Sequence, residues 1–80
     1  MQAGHEEKRQ LLMAALKKLD IDAVVQCEGD TLWVHLKQPS LAQVGMTVEM
    51  MTYLFPESSA SSYTYEEIGG NLLIISKLKR

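Results

Sequence analysis

The chain has 80 residues, a net charge of −2 and one cysteine. A chain this short makes one small domain, expected over residues 1–80, and buries only about 60% of its unfolded surface. One cysteine excludes an internal disulfide framework, and interspersed charges give no electrostatic footprint for nucleic acid or anionic lipid. No apolar run approaches a membrane span. The start, MQAGHEEKRQ, lacks the apolar stretch of a signal peptide. A soluble, cytoplasmic protein is therefore expected. One Cys and two well-separated His offer no zinc spacing, so neither metal nor cofactor is expected.

Residues 1–4 are expected to be frayed. His5 to Leu19 then reads as a helix, free of Gly and Pro, with Leu12, Ala15, Leu16 and Leu19 on one stripe. Glu6 and Glu7 near its start and Lys17 and Lys18 near its end suit the helix dipole. Ile21–Glu28 and Thr31–Lys37 read as strands joined by Gly29-Asp30. A two-residue loop with Gly first fits a type II′ turn. It sets the pairs Glu28–Thr31, Cys27–Leu32, Val25–Val34 and Ala23–Leu36, the last three wholly apolar and on one face.

Pro39 closes the second strand, and Ser40 with Gln43 resembles a capping box. Leu41, Val44, Val48, Met51 and Phe55 follow helical spacing, with Gly45 a weak point and Pro56 the stop. PESSASS is a polar connector, with 57–62 expected to be a flexible loop. Ser62–Ile68, the turn Gly69-Gly70 and Asn71–Leu78 complete a second hairpin. Forty positions separate Val25 from Tyr65, Gly29 from Gly69, Leu32 from Leu72 and Val34 from Ile74. The hairpins repeat in architecture, whereas the helices match only in position.

The order αββαββ has a natural solution as an α+β two-layer sandwich. It is what results when the first strand of a ferredoxin-like βαββαβ domain moves to the end. This permuted ferredoxin-like arrangement has a four-stranded antiparallel sheet with two helices on one face. The more apolar second strands of the hairpins would be central, and the first strands would be edges. The helix side would hold Ala23, Val25, Cys27, Leu32, Val34, Leu36, Tyr63, Tyr65, Leu72 and Ile74. The other side would carry Val24, Trp33, His35, Ile68, Leu73 and Ile75.

A sheet with one wet face alternates apolar and polar residues. Leu72-Leu73-Ile74-Ile75 does not alternate, which implies burial on both faces. The expected function is a small non-enzymatic protein-interaction module: an adaptor, inhibitor or subunit acting through this apolar face. Its partner would be itself, as a homodimer, or another protein. Trp33 would be the anchor, Leu73, Ile75 and Val24 the apolar surround, and His35 and Glu66 the polar rim. A histidine there would make association pH-sensitive. The alternative is single-stranded nucleic acid stacking on Trp33, against which Glu28 and Glu66 share the face. Asp20, Asp22, Glu28 and Asp30 flank turns and read as structural. No catalytic residue is assigned. Cys27 should be inert, since its sequence neighbours Glu28 and Asp30 are acidic.

Overall fold

The computed structural model describes residues 3–56 and 63–78, with side chains from residue 6 on. The expected loop over 57–62 lies outside the described residues. The elements run α1 (Ala3–Lys18), β1 (Ala23–Glu28), β2 (Thr31–Leu36), α2 (Leu41–Leu54), β3 (Thr64–Ile68) and β4 (Asn71–Lys77). The four strands form one antiparallel sheet in the order β1-β2-β4-β3. That is the permuted ferredoxin-like order, with β2 and β4 central. Of the stretch expected to fray, Ala3 and Gly4 belong to α1.

The end of α1 is built by its own backbone. Asp20 takes the left-handed conformation at φ 64. Its N–H donates to the Lys17 carbonyl at 3.0 Å, and the Ile21 N–H donates to the Leu16 carbonyl at 2.9 Å. This is a Schellman ending, with the accompanying apolar contact supplied by buried Leu16 and Ile21. It turns Leu19 away from the core and explains why that residue, expected on the buried stripe, is exposed.

The first hairpin has the expected register, and the second pairs Ile68 with Asn71 across the expected Gly69-Gly70 turn. Gly29 has φ 62 while Asp30 stays at negative φ, as type II′ requires. Gly69 and Gly70 are both at positive φ, 57 and 87, the pattern of type I′. The capping box is present. The Gln43 N–H donates to Ser40 Oγ at 3.2 Å, and the Ser40 N–H donates to Gln43 Oε1 at 3.0 Å. α2 starts at Leu41 despite Gly45, and the Phe55 N–H closes it on the Met51 carbonyl before Pro56.

The core stripe of α2 differs from the expected one. Thr47, Met51 and Phe55 are fully buried, Val44 and Val48 are half-buried, and Leu41 is 90% exposed. Thr47 can occupy the core because its hydroxyl donates to the Gln43 carbonyl at 2.7 Å. Leu12 and Leu16 from α1 and Met51 and Phe55 from α2 join Val25, Leu32, Val34, Leu36 and Ile74 in one cluster. Both helices therefore cover the same sheet face. Lys8 Nζ sits 5.8 Å from the Phe55 ring centre and ties α1 to the end of α2.

Ser76 is the anomaly in this core. It lies opposite Leu32, is fully buried, and its Oγ has no hydrogen-bond partner among the described residues. A buried hydroxyl without a partner is destabilising by about 1–3 kcal/mol. Ser76→Ala should raise stability by about 1 kcal/mol in urea unfolding. A loss of stability instead would show that a buried water satisfies Oγ.

Candidate functional site

The face opposite the helices forms a grid set by the strand registers. One cross-strand row reads Val24, His35, Leu73, Glu66, and the next reads Gln26, Trp33, Ile75, Thr64. All six residues singled out from sequence, Trp33, His35, Leu73, Ile75, Val24 and Glu66, thus lie on one face within two adjacent rows. Trp33 stands directly opposite Ile75, and Leu73 opposite His35. Trp33 and Leu73 are diagonal neighbours, not a direct pair.

The hydrogen-bond pattern brings these side chains close. The Leu78 N–H donates to the Asp30 carbonyl at 2.7 Å. This places even-numbered β2 residues at the hydrogen-bonded positions towards β4. The pairs Trp33–Ile75 and His35–Leu73 are then non-hydrogen-bonded pairs, in which side chains approach more closely. Trp33, Leu73 and Ile75 are half-buried by their neighbours alone, while Val24 and Ile68 at the flanks are 51% and 62% exposed. The apolar stripe runs diagonally from Trp33 through Ile75 and Leu73 to Ile68.

At one end of this face is a groove of about 430 Å³ lined by Val24, His35, Glu66, Ile68 and Leu73, with Asp22 and Lys37 at its rim. The charges are mixed: Asp22, Glu28 and Glu66 against Lys37 and Lys77, so the face has no single-sign field. Among the described residues, no group of three or more His, Cys, Asp or Glu gathers as metal ligands would. No described helix is long and apolar enough to cross a membrane.

The two sheet edges are treated differently. α1 lies along β1, and Arg9 Nη1 donates to the Val25 carbonyl at 3.0 Å. Arg9 also grips Glu6 with Nε at 3.1 Å and Nη2 at 2.8 Å. These bonds hold the Glu6 carboxyl below its ordinary pKa, and Glu6 raises that of Arg9. Arg9 and Cys27 line the same shallow pocket. A cation therefore stands near this thiol. Sequence neighbours alone could not reveal it, because Arg9 arrives from the preceding helix. β3, by contrast, is exposed along its whole length.

These features define a class, a two-layer α+β domain with an apolar sheet face that no described helix covers. No family model matches the chain, and no curated protein matches it.

The Arg9 clamp can be measured directly. Arg9→Met keeps the apolar stem and loses the fork, and should destabilise the fold by about 1 kcal/mol in chemical denaturation. Arg9→Lys should recover less than half of that, since one ammonium cannot span Glu6 and the Val25 carbonyl together. Full recovery by Lys would show that charge alone matters.

Proposed function

We propose that the chain is a non-enzymatic protein-interaction module whose sheet face opposite the helices is its contact surface, with a second copy of the chain as partner. The observation that supports this is the cross-strand pair Trp33–Ile75 at the centre of that face, beside Leu73. An aromatic anchor in an apolar patch with a polar margin is the usual composition of an interface centre. Here His35, Glu66, Gln26 and Thr64 form the margin.

The size of the face sets the strength. Four strands about 4.8 Å apart and six residues long span roughly 19 by 20 Å, or about 400 Å² per copy before side-chain relief. Two copies then bury about 800 Å² before side-chain relief, below the range of stable specific interfaces and within that of weak, transient ones. A dimer that dissociates on dilution is the expected outcome, not an obligate one.

Light scattering after size exclusion, from about 1 μM to 1 mM, reads this out. The wild type should pass from monomer to dimer across that range. Trp33→Glu should remain a folded monomer by circular dichroism, weakening association at least tenfold. If Trp33→Glu fails to fold, Val24→Glu at the exposed flank carries the same test. A wild type that is monomeric throughout would overturn the proposal, as would a dimer indifferent to both substitutions.

A further inference from the structure

The second apolar surface is on the opposite side of the molecule. α2 carries one charged residue, Glu49, in its 14 residues. A helix apolar on all sides is normally enclosed, and this one is enclosed on one side only. Its inner side holds Thr47 and Met51. The flank that meets Leu19 carries Met46, Met50 and Tyr53 at i, i+4 and i+7; Met46 and Met50 are half-buried against the core, and Tyr53 is 79% exposed. Leu19, turned out by the α1 ending, joins them. Together they line a groove of about 550 Å³ in which Glu49 is the one charged group.

Three properties of this groove point to its occupant. The i, i+4, i+7 spacing makes Met46, Met50 and Tyr53 a ridge of the kind that packs against a second helix. The lining from Met46 to Tyr53 spans about 12 Å at 1.5 Å per residue, room for a little over two turns of a partner helix. Methionine thioethers adapt to the shape of an incoming apolar side chain. The carboxylate then decides between partners. Glu49 has no hydrogen-bond or ion-pair partner among the described residues. In a two-fold pairing of α2 with α2 centred on the groove, Glu49 would meet its own counterpart, and like charges at an interface are strongly disfavoured. A Lys or Arg at that point would be matched instead.

We propose that the α2 groove docks an amphipathic helix of a different protein, with an apolar i, i+4, i+7 stripe and a lysine or arginine that meets Glu49. The groove is on the helix layer, away from Trp33, so it does not depend on the sheet-face reading and the two fail separately.

The test uses the full chain with ¹³C-methyl methionine, assigned by Met46→Leu and Met50→Leu. The probes are a synthetic amphipathic Leu/Lys peptide of about four turns and its Leu/Glu counterpart. The Leu/Lys peptide should shift the Met46 and Met50 methyl signals saturably and spare the Trp33 indole. The Leu/Glu peptide should bind at least tenfold more weakly, and Glu49→Lys should reverse that order. No shift at Met46 and Met50, equal affinity for both peptides, or shifts confined to Trp33 would each overturn the proposal. Concentration-dependent shifts of these methyls without peptide would also overturn it, assigning the groove to a second copy.

Discussion

The antiparallel pairing of β2 with β4 joins two αββ units that are otherwise separate in the chain. Each unit alone is a hairpin and one helix, too little to enclose a core. The seam between them sets six residue pairs, from Thr31–Lys77 to Leu36–Leu72. It thereby aims Leu32, Val34 and Leu36, with Leu72, Ile74 and Ser76, at the helices. A slip of β4 by one residue would turn Leu73 and Ile75 inward and put Leu72, Ile74 and Ser76 on the outer face, while β2 kept its facing. The same seam therefore specifies both the core and the proposed contact face.

The edges follow from the seam being central. β1 is closed by α1 and by the Arg9 guanidinium on the Val25 carbonyl. β3 has no comparable clamp among the described residues and relies on charge: Glu66 and Glu67 sit side by side on this short strand and point to opposite faces. Charged side chains on a short edge are a common defence against unwanted strand addition. This favours contact through a face of the sheet over contact through its rim.

The hairpins were legible because their information is local. A two-residue turn with glycine first, and apolar pairs that agree only in one register, leave a single answer for Glu28–Thr31, while the second hairpin was legible through its Gly69-Gly70 turn. The helix order and the central strands followed from topology and apolar content. The core stripe of α2 was read correctly at Met51 and Phe55, with Val44 and Val48 packed against the core, but Leu41 was placed inside and Thr47 was missed, because the helix is apolar nearly all round. Only a side-chain hydrogen bond, Thr47 to the Gln43 carbonyl, reveals why a hydroxyl residue is inside and Leu41 outside. The neighbourhood of Cys27 was hidden for a different reason. Arg9 reaches it across sixteen residues of chain from Val25, a contact that no local pattern encodes. The groove beside Glu49 went unread because an apolar helical stripe is indistinguishable from core until one side is seen to be filled.

An 80-residue two-layer domain has room for one core. In this chain that core is already complete with α1, α2 and the inner sheet face. Trp33 with Ile75 and Leu73 lies outside it on the outer sheet face, and on the helix layer Met46 and Met50 are packed against it with one side open and Tyr53 is exposed. Seam stability alone does not call for them. Cross-strand pairs on an outer face contribute roughly 0.2–1 kcal/mol, and a β-branched threonine pair supplies a comparable share without exposing a tryptophan. Nor does helix propensity call for methionine and tyrosine where lysine, glutamate and glutamine serve as well or better. Both surfaces carry more apolar area than folding uses, each bordered by specific charges. That surplus, arranged on two sides of a filled core, is the physical ground for reading this chain as a module that makes contacts.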